Sequence, residues 1–94
     1  MEYRSISERI KLFIETSRYP NYSQWRVGLT HFPSKSKKYW DNPLNWTFLG
    51  CNSLCDAEEI EQYFIHQMGM TESTCVSLSR SKTVYIYIFK HTSQ

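Results

Sequence analysis

Lys82-Thr83-Val84-Tyr85-Ile86-Tyr87-Ile88-Phe89-Lys90 is the stretch that decides the fold of this chain. Side chains of a strand alternate between its two faces, so Val84, Ile86 and Ile88 share one face and Tyr85, Tyr87 and Phe89 the other. Both faces are apolar. A strand wetted on one side carries polar residues at every second position, so this one has to be covered on both sides and belongs in the interior of a sheet. The last strand is therefore expected to insert between strands that precede it.

Two earlier segments offer themselves as its neighbours. Residues 24–30 alternate Trp25, Val27 and Leu29 against Arg26, Gly28 and Thr30. Gly28 weakens a strand interior, and its presence there marks close approach by another backbone or a ligand. Residues 46–51 set Trp46, Phe48 and Gly50 against Thr47, Leu49 and Cys51. Between them Pro33 suits the first position of a short helix over 34–40, with Lys35, Lys37 and Lys38 on it. Asn42-Pro43-Leu44-Asn45 is a turn.

Two longer helices are predicted. Ser5-Ile6-Ser7-Glu8 has the capping-box pattern, and Ile6, Ile10, Phe13 and Ile14 then fall on one side. Pro20 closes that element, because the residue before a proline avoids the helical region. Asp56 reads as the cap of the second, whose stripe is Ala57, Ile60, Phe64 and Met68; Gly69 supplies the left-handed end. Residues 71–81, rich in serine and threonine, read as a mobile loop. The prediction is a single α/β (α+β) domain over 1–94, with a three-stranded sheet, two main helices and a third short one, and with Phe48 among the core residues.

An aromatic share of 16% favours a folded globule over disorder. The net charge of +2 is too small for any argument from bulk electrostatics, so a nucleic-acid partner has to be argued from local clusters of charge. Residues 1–8 are polar and charged rather than an apolar leader, and the cysteines are an odd three, so a cytoplasmic, reduced setting is expected. No run approaches the length of a membrane span, and no membrane partner is expected. Cys51-x-x-x-Cys55 has only His66 and Cys75 nearby, which is not a second ligand pair, so free thiols are expected and zinc is not. His31, His66 and His91 are scattered, and neither a Gly-x-Ser-x-Gly turn nor a glycine-rich phosphate loop is present.

In Arg26-Val27-Gly28-Leu29-Thr30-His31-Phe32-Pro33 the chain resembles the second signature strand of the GIY-YIG nuclease domain and the turn after it. Ala57-x-x-x-Glu61-x-x-x-Ile65 is similar to that family's second conserved helix, whose glutamate binds a divalent metal. The similarity covers roughly 25–65. It departs from the family in three places. A helix and Arg18-Tyr19-Pro20-Asn21-Tyr22 stand where the first signature strand should be, the tyrosine of the second signature falls on Arg26, and the catalytic arginine falls on Ser36, between Lys35 and Lys37.

The resemblance implies a divergent relative, permuted so that 83–87 fills the slot of the missing strand and brings Tyr85 or Tyr87 near the old nucleophile-activating tyrosine. On that reading Tyr85, Tyr87 and Lys35 are the catalytic candidates. Glu61 is the candidate Mg²⁺ ligand, and Arg26, His31, Lys35, Lys37, Lys38 and Trp40 contact nucleic acid. A lysine lacks the guanidinium fork, so metal-dependent endonuclease activity is expected to be weak or absent.

Each candidate also has a plainer reading. The plainer reading is the favoured one: Glu61 beside Glu58 and Glu59 is a solvated helix carboxylate, the lysines are a solvated face, and Tyr85 and Tyr87 are packing residues. The functional alternative is a non-catalytic protein-interaction module, an accessory or inhibitor protein. It rests on Trp25, Trp40 and Trp46, which are more tryptophan than so small a core needs.

Overall fold

The computed structural model describes residues 3–74 and 77–90, with side chains from Ser5 onward. Cys75 and His91 lie outside the described residues. The elements run α1 (Tyr3–Glu15), a 3₁₀ turn (Tyr22–Gln24), β1 (Trp25–Thr30), α2 (Pro33–Tyr39), β2 (Trp46–Cys51), α3 (Leu54–His66), β3 (Thr71–Glu72) and β4 (Val84–Lys90). The four strands form one sheet in the order β2-β4-β1-β3.

β4 stands between β1 and β2 and is antiparallel to both, with Gly28 opposite Tyr87 in one ladder and Phe48 opposite Tyr87 in the other. Its two apolar faces are buried as expected. Val84, Ile86 and Ile88 join Trp25, Val27 and Leu29 against Ile6, Ile10 and Ile14 of α1 and Ala57, Ile60 and Phe64 of α3. On the reverse face Tyr87 stacks on Trp46 (centroids 4.9 Å apart) and Phe89 packs on Trp46 (5.7 Å) and Trp40 (5.4 Å). α1 and α3 cover one side of the sheet and α2 the other.

The sheet has four strands and not three. The extra one, Thr71–Glu72, pairs parallel with β1 inside the segment read as a mobile loop. Ser73 continues it, its N–H donating to the Val27 carbonyl at 2.9 Å. Thr71, Glu72 and Ser73 carry no apolar signal, so a short edge strand made of them leaves no periodic pattern.

Two helix starts also shift. α1 already includes Tyr3, so Ser5 is a helical residue and not its cap. α3 is capped by Ser53, whose hydroxyl accepts from the Asp56 N–H at 3.1 Å, and Asp56 lies in the first turn, where its charge suits the helix dipole. Gly69 takes a φ of 83°, as a left-handed end requires, and the Met70 N–H returns to the Phe64 carbonyl.

Phe48, expected in the core, is 46% exposed, because β2 is an edge strand with a neighbour on one side only. Trp25 is fully buried instead, its indole N–H donating to the Tyr19 carbonyl at 2.7 Å. Among the described residues no helix is long and apolar enough to cross a membrane. Cys51 is buried and Cys55 exposed, both as free thiols.

Candidate functional site

Close packing of β1 on β4 builds the first cluster. The Tyr87 ring lies across Gly28 so closely that a Cβ there would sit 2.5 Å from Cζ and from the hydroxyl, and 2.8 Å from Ser73 Oγ. The close approach expected from Gly28 is thus made by a side chain. The Tyr87 hydroxyl donates to the Ser73 carbonyl at 2.8 Å and accepts from Trp40 Nε1 at 3.1 Å. The Arg26 guanidinium lies over the Trp40 ring, 5.2 Å from its centre. Arg26, Trp40 and Tyr87, all candidates from sequence, are therefore brought together. Tyr87 is buried with its only hydroxyl hydrogen committed to a carbonyl, which leaves it no proton to exchange with a bound water in this arrangement. Tyr85 is half-buried on the same face, its ring edge-on to Phe48 at 5.8 Å.

α2 is fixed onto this face at its middle and just past its end. Ser36 is buried and its hydroxyl donates to Thr30 Oγ1 at 2.8 Å; Trp40, just past the helix, plugs into the aromatic layer. The other side of α2 is left in solvent, with Lys35 and Lys38 exposed and Lys37 half-buried. At its start Phe32 is 51% exposed, with Lys35 Nζ 5.0 Å and Lys82 Nζ 5.7 Å from its ring centre.

His31 locks that corner in place. The Ser79 N–H donates to Nε2 (2.8 Å), so Nε2 carries no hydrogen, and Nδ1–H donates to the Thr83 carbonyl (2.8 Å). The segment leading into β4 is thereby tied to the β1–α2 turn.

Glu61 lies elsewhere. It projects from α3, on the opposite side of the sheet from Tyr85, Tyr87 and the α2 lysines. It is neither solvated nor open: only 4% of its surface is exposed, and Thr74 Oγ1 donates to Oε2 at 2.6 Å while accepting the Leu29 N–H at 2.9 Å. Burial pushes the carboxyl up to about 7; like charge on Glu72 and Glu58 adds to this, and the Thr74 hydrogen bond opposes it.

The donor set does not fit Mg²⁺, which takes several oxygens in an open octahedral shell. One Glu61 oxygen is taken up by Thr74. Among the described residues, no three His, Cys, Asp or Glu side chains converge to hold a metal ion. Burial also pushes the Cys51 thiol up to about 11, which disfavours the thiolate a nucleophile needs.

Charge is sorted across the sheet in a way the net value hides. α2, Pro-Ser-Lys-Ser-Lys-Lys-Tyr, has three lysines and no carboxylate. α3 has Asp56, Glu58, Glu59 and Glu61 and no lysine or arginine. Sequence reasoning found the lysines but missed Phe32, Lys82, Ser73 and Thr74, which acquire their roles only from contacts across the sheet. The apolar residue before Pro33 was the one available signal for Phe32. No family model, curated protein or solved structure matches this chain.

Proposed function

We propose that the chain is a divergent, permuted GIY-YIG-like domain that contacts nucleic acid through the α2 face and does not cleave it. The observation that carries this reading is the sorting of charge: an exposed lysine helix without a carboxylate on one side of the sheet, and an acidic helix on the other. A polyanion is attracted to α2 and repelled by α3, though α1 beside α3 carries Arg9 and Lys11 with Glu8 and Glu15, so α2 is the more favourable approach. The central position of β4 beside β1 supports the permutation, since a strand replacing the family's opening one has to lie there. The enclosed Glu61 and the committed Tyr87 hydroxyl support a binding role over a catalytic one.

Fluorescence anisotropy with a labelled oligonucleotide tests this. If Lys35, Lys37 and Lys38 each neutralise one phosphate, affinity falls roughly 20- to 40-fold between about 50 and 200 mM salt. Lys35→Ala and Lys38→Ala each lower the slope of log affinity against log salt by about one. Glu58→Gln leaves the slope unchanged. Mg²⁺ produces no cleavage. Absence of salt-dependent binding by the unaltered chain refutes the reading.

The protein-interaction alternative has one observation in its favour. The edge strand β2, Trp-Thr-Phe-Leu-Gly-Cys, is uncharged and presents the half-exposed Phe48. The three tryptophans do not support it as expected, since Trp25 is fully buried and Trp40 and Trp46 are packed in the aromatic layer. A protein interface through β2 keeps its affinity over the same salt range.

A further inference from the structure

The corner where β1, α2 and the start of β4 meet has a feature that charge alone does not require. Phe32 leaves half of its ring in solvent, at the edge of the lysine surface rather than over the core. Two ammonium groups from separate parts of the chain flank it, Lys35 from α2 and Lys82 from the segment before β4. The His31 ring meets it edge-on at 6.3 Å. The two His31 hydrogen bonds hold the segment that carries Lys82 against the turn that carries Phe32, so the ring and its cations form a preset group. At the other end of α2, Tyr39 is also exposed, at 67%. Lys35 and Tyr39 share one side of the helix (i, i+4), and Phe32 is the residue that precedes it.

We infer that this corner binds single-stranded nucleic acid, with Phe32 as the platform for an unpaired base and Lys35 and Lys82 as contacts to the adjoining phosphates. The inference rests on the nucleic-acid reading above and narrows it. Inside a duplex both faces of each base are covered by neighbouring bases, so an aromatic ring on the protein surface can stack only at the ends. An unpaired base has a free face, and any base can supply it. The two ammonium groups lie over the ring in the free chain, so a stacking base displaces them toward its own phosphates, which long exposed lysine side chains allow. With only three lysines on α2 the phosphate term is modest, so a stacked base contributes a large share of the affinity.

The test compares three probes by anisotropy or competition at fixed low salt: a short oligothymidylate, a blunt duplex, and heparin, a polyanion without bases. The unaltered chain is expected to prefer the oligothymidylate. Phe32→Ala should weaken that complex by roughly 10-fold or more, in line with the worth of one stacked base, and leave heparin affinity unchanged. Phe32→Trp should retain the oligothymidylate complex, and Lys82→Ala should weaken all three. Circular dichroism melting checks that the Phe32 variants fold, as a half-exposed position allows. If Phe32→Ala leaves the oligothymidylate affinity intact, or duplex and single strand bind alike, the single-strand inference falls while the nucleic-acid reading stands. If the unaltered chain binds none of the probes, both fall.

Discussion

Glu61 is the residue whose chemistry departs furthest from its usual state. Its carboxyl titrates near 4.5 in an unfolded chain and near 7 in the folded one, chiefly because burial disfavours the charge. Between those values the folded chain holds a proton that the unfolded chain has released. Protonation therefore favours folding, the penalty is absent below about pH 4.5, and it is complete above about pH 7. The shift corresponds to a loss on the order of 3 kcal/mol as pH rises through that window. Glu61→Gln keeps an acceptor for Thr74 and has no charge to bury. It should be more stable than the unaltered chain at pH 8, with the two converging at pH 4.5. Urea unfolding across that range measures the difference, and an equal stability gap at both ends would refute the assignment.

The contact of β1 with β4 shows how one element constrains another. Gly28 and Gly50 are both strand glycines, one on each neighbour of β4, and both face a tyrosine. A Cβ at Gly50 would meet the Tyr85 ring at 3.7 Å, an ordinary contact. A Cβ at Gly28 would meet the Tyr87 ring at 2.5 Å, with Ser73 blocking the way out at 2.8 Å. Tyr87 cannot retreat without giving up its bonds to Ser73 and Trp40 and its stack on Trp46. Gly28→Ala is therefore expected to cost about 1–3 kcal/mol through overpacking. Gly50→Ala should be neutral or stabilise by up to about 1 kcal/mol, since it reduces the freedom of the unfolded chain. Chemical denaturation of the two variants side by side tests this, and similar midpoints for both would refute the crowding at Gly28.

At the scale of the whole molecule, β4 is the element that makes the sheet one sheet. β1 and β2 do not touch each other as strands; each pairs with β4. The apolar layer under α1 and α3 and the aromatic layer under α2 both run through it. Ending the chain at Thr83 removes the shared partner and opens two cores at once. The shortened chain is expected to lose its cooperative thermal transition and the dispersion of its amide proton spectrum. A truncated chain that still melts cooperatively would show that the outer strands can pair without β4. The same division into two faces separates the lysines of α2 from the carboxylates of α3, while α1, beside α3, carries both signs.

Periodicity alone placed β4 in the interior, since a strand with two apolar faces has no stable position at an edge. It also located β2 and, to within a residue or two, β1, α2 and the body of α3, because those elements repeat at intervals set by backbone geometry. The short strand Thr71–Glu72 and the Ser53 cap carry no such repeat and became visible only in the fold. The candidate residues divide in the same way. The lysines of α2 and the aromatics of β4 were legible because they are clustered along the chain. The surroundings of Glu61, the setting of Phe32 between Lys35 and Lys82, and the crossing of Tyr87 over Gly28 join residues that are far apart in sequence. Side-chain type and spacing determined which elements form. Tertiary packing decided which residues are buried, which titrate abnormally and which meet a partner, because burial and contact are properties of neighbours that the chain brings together only when it folds.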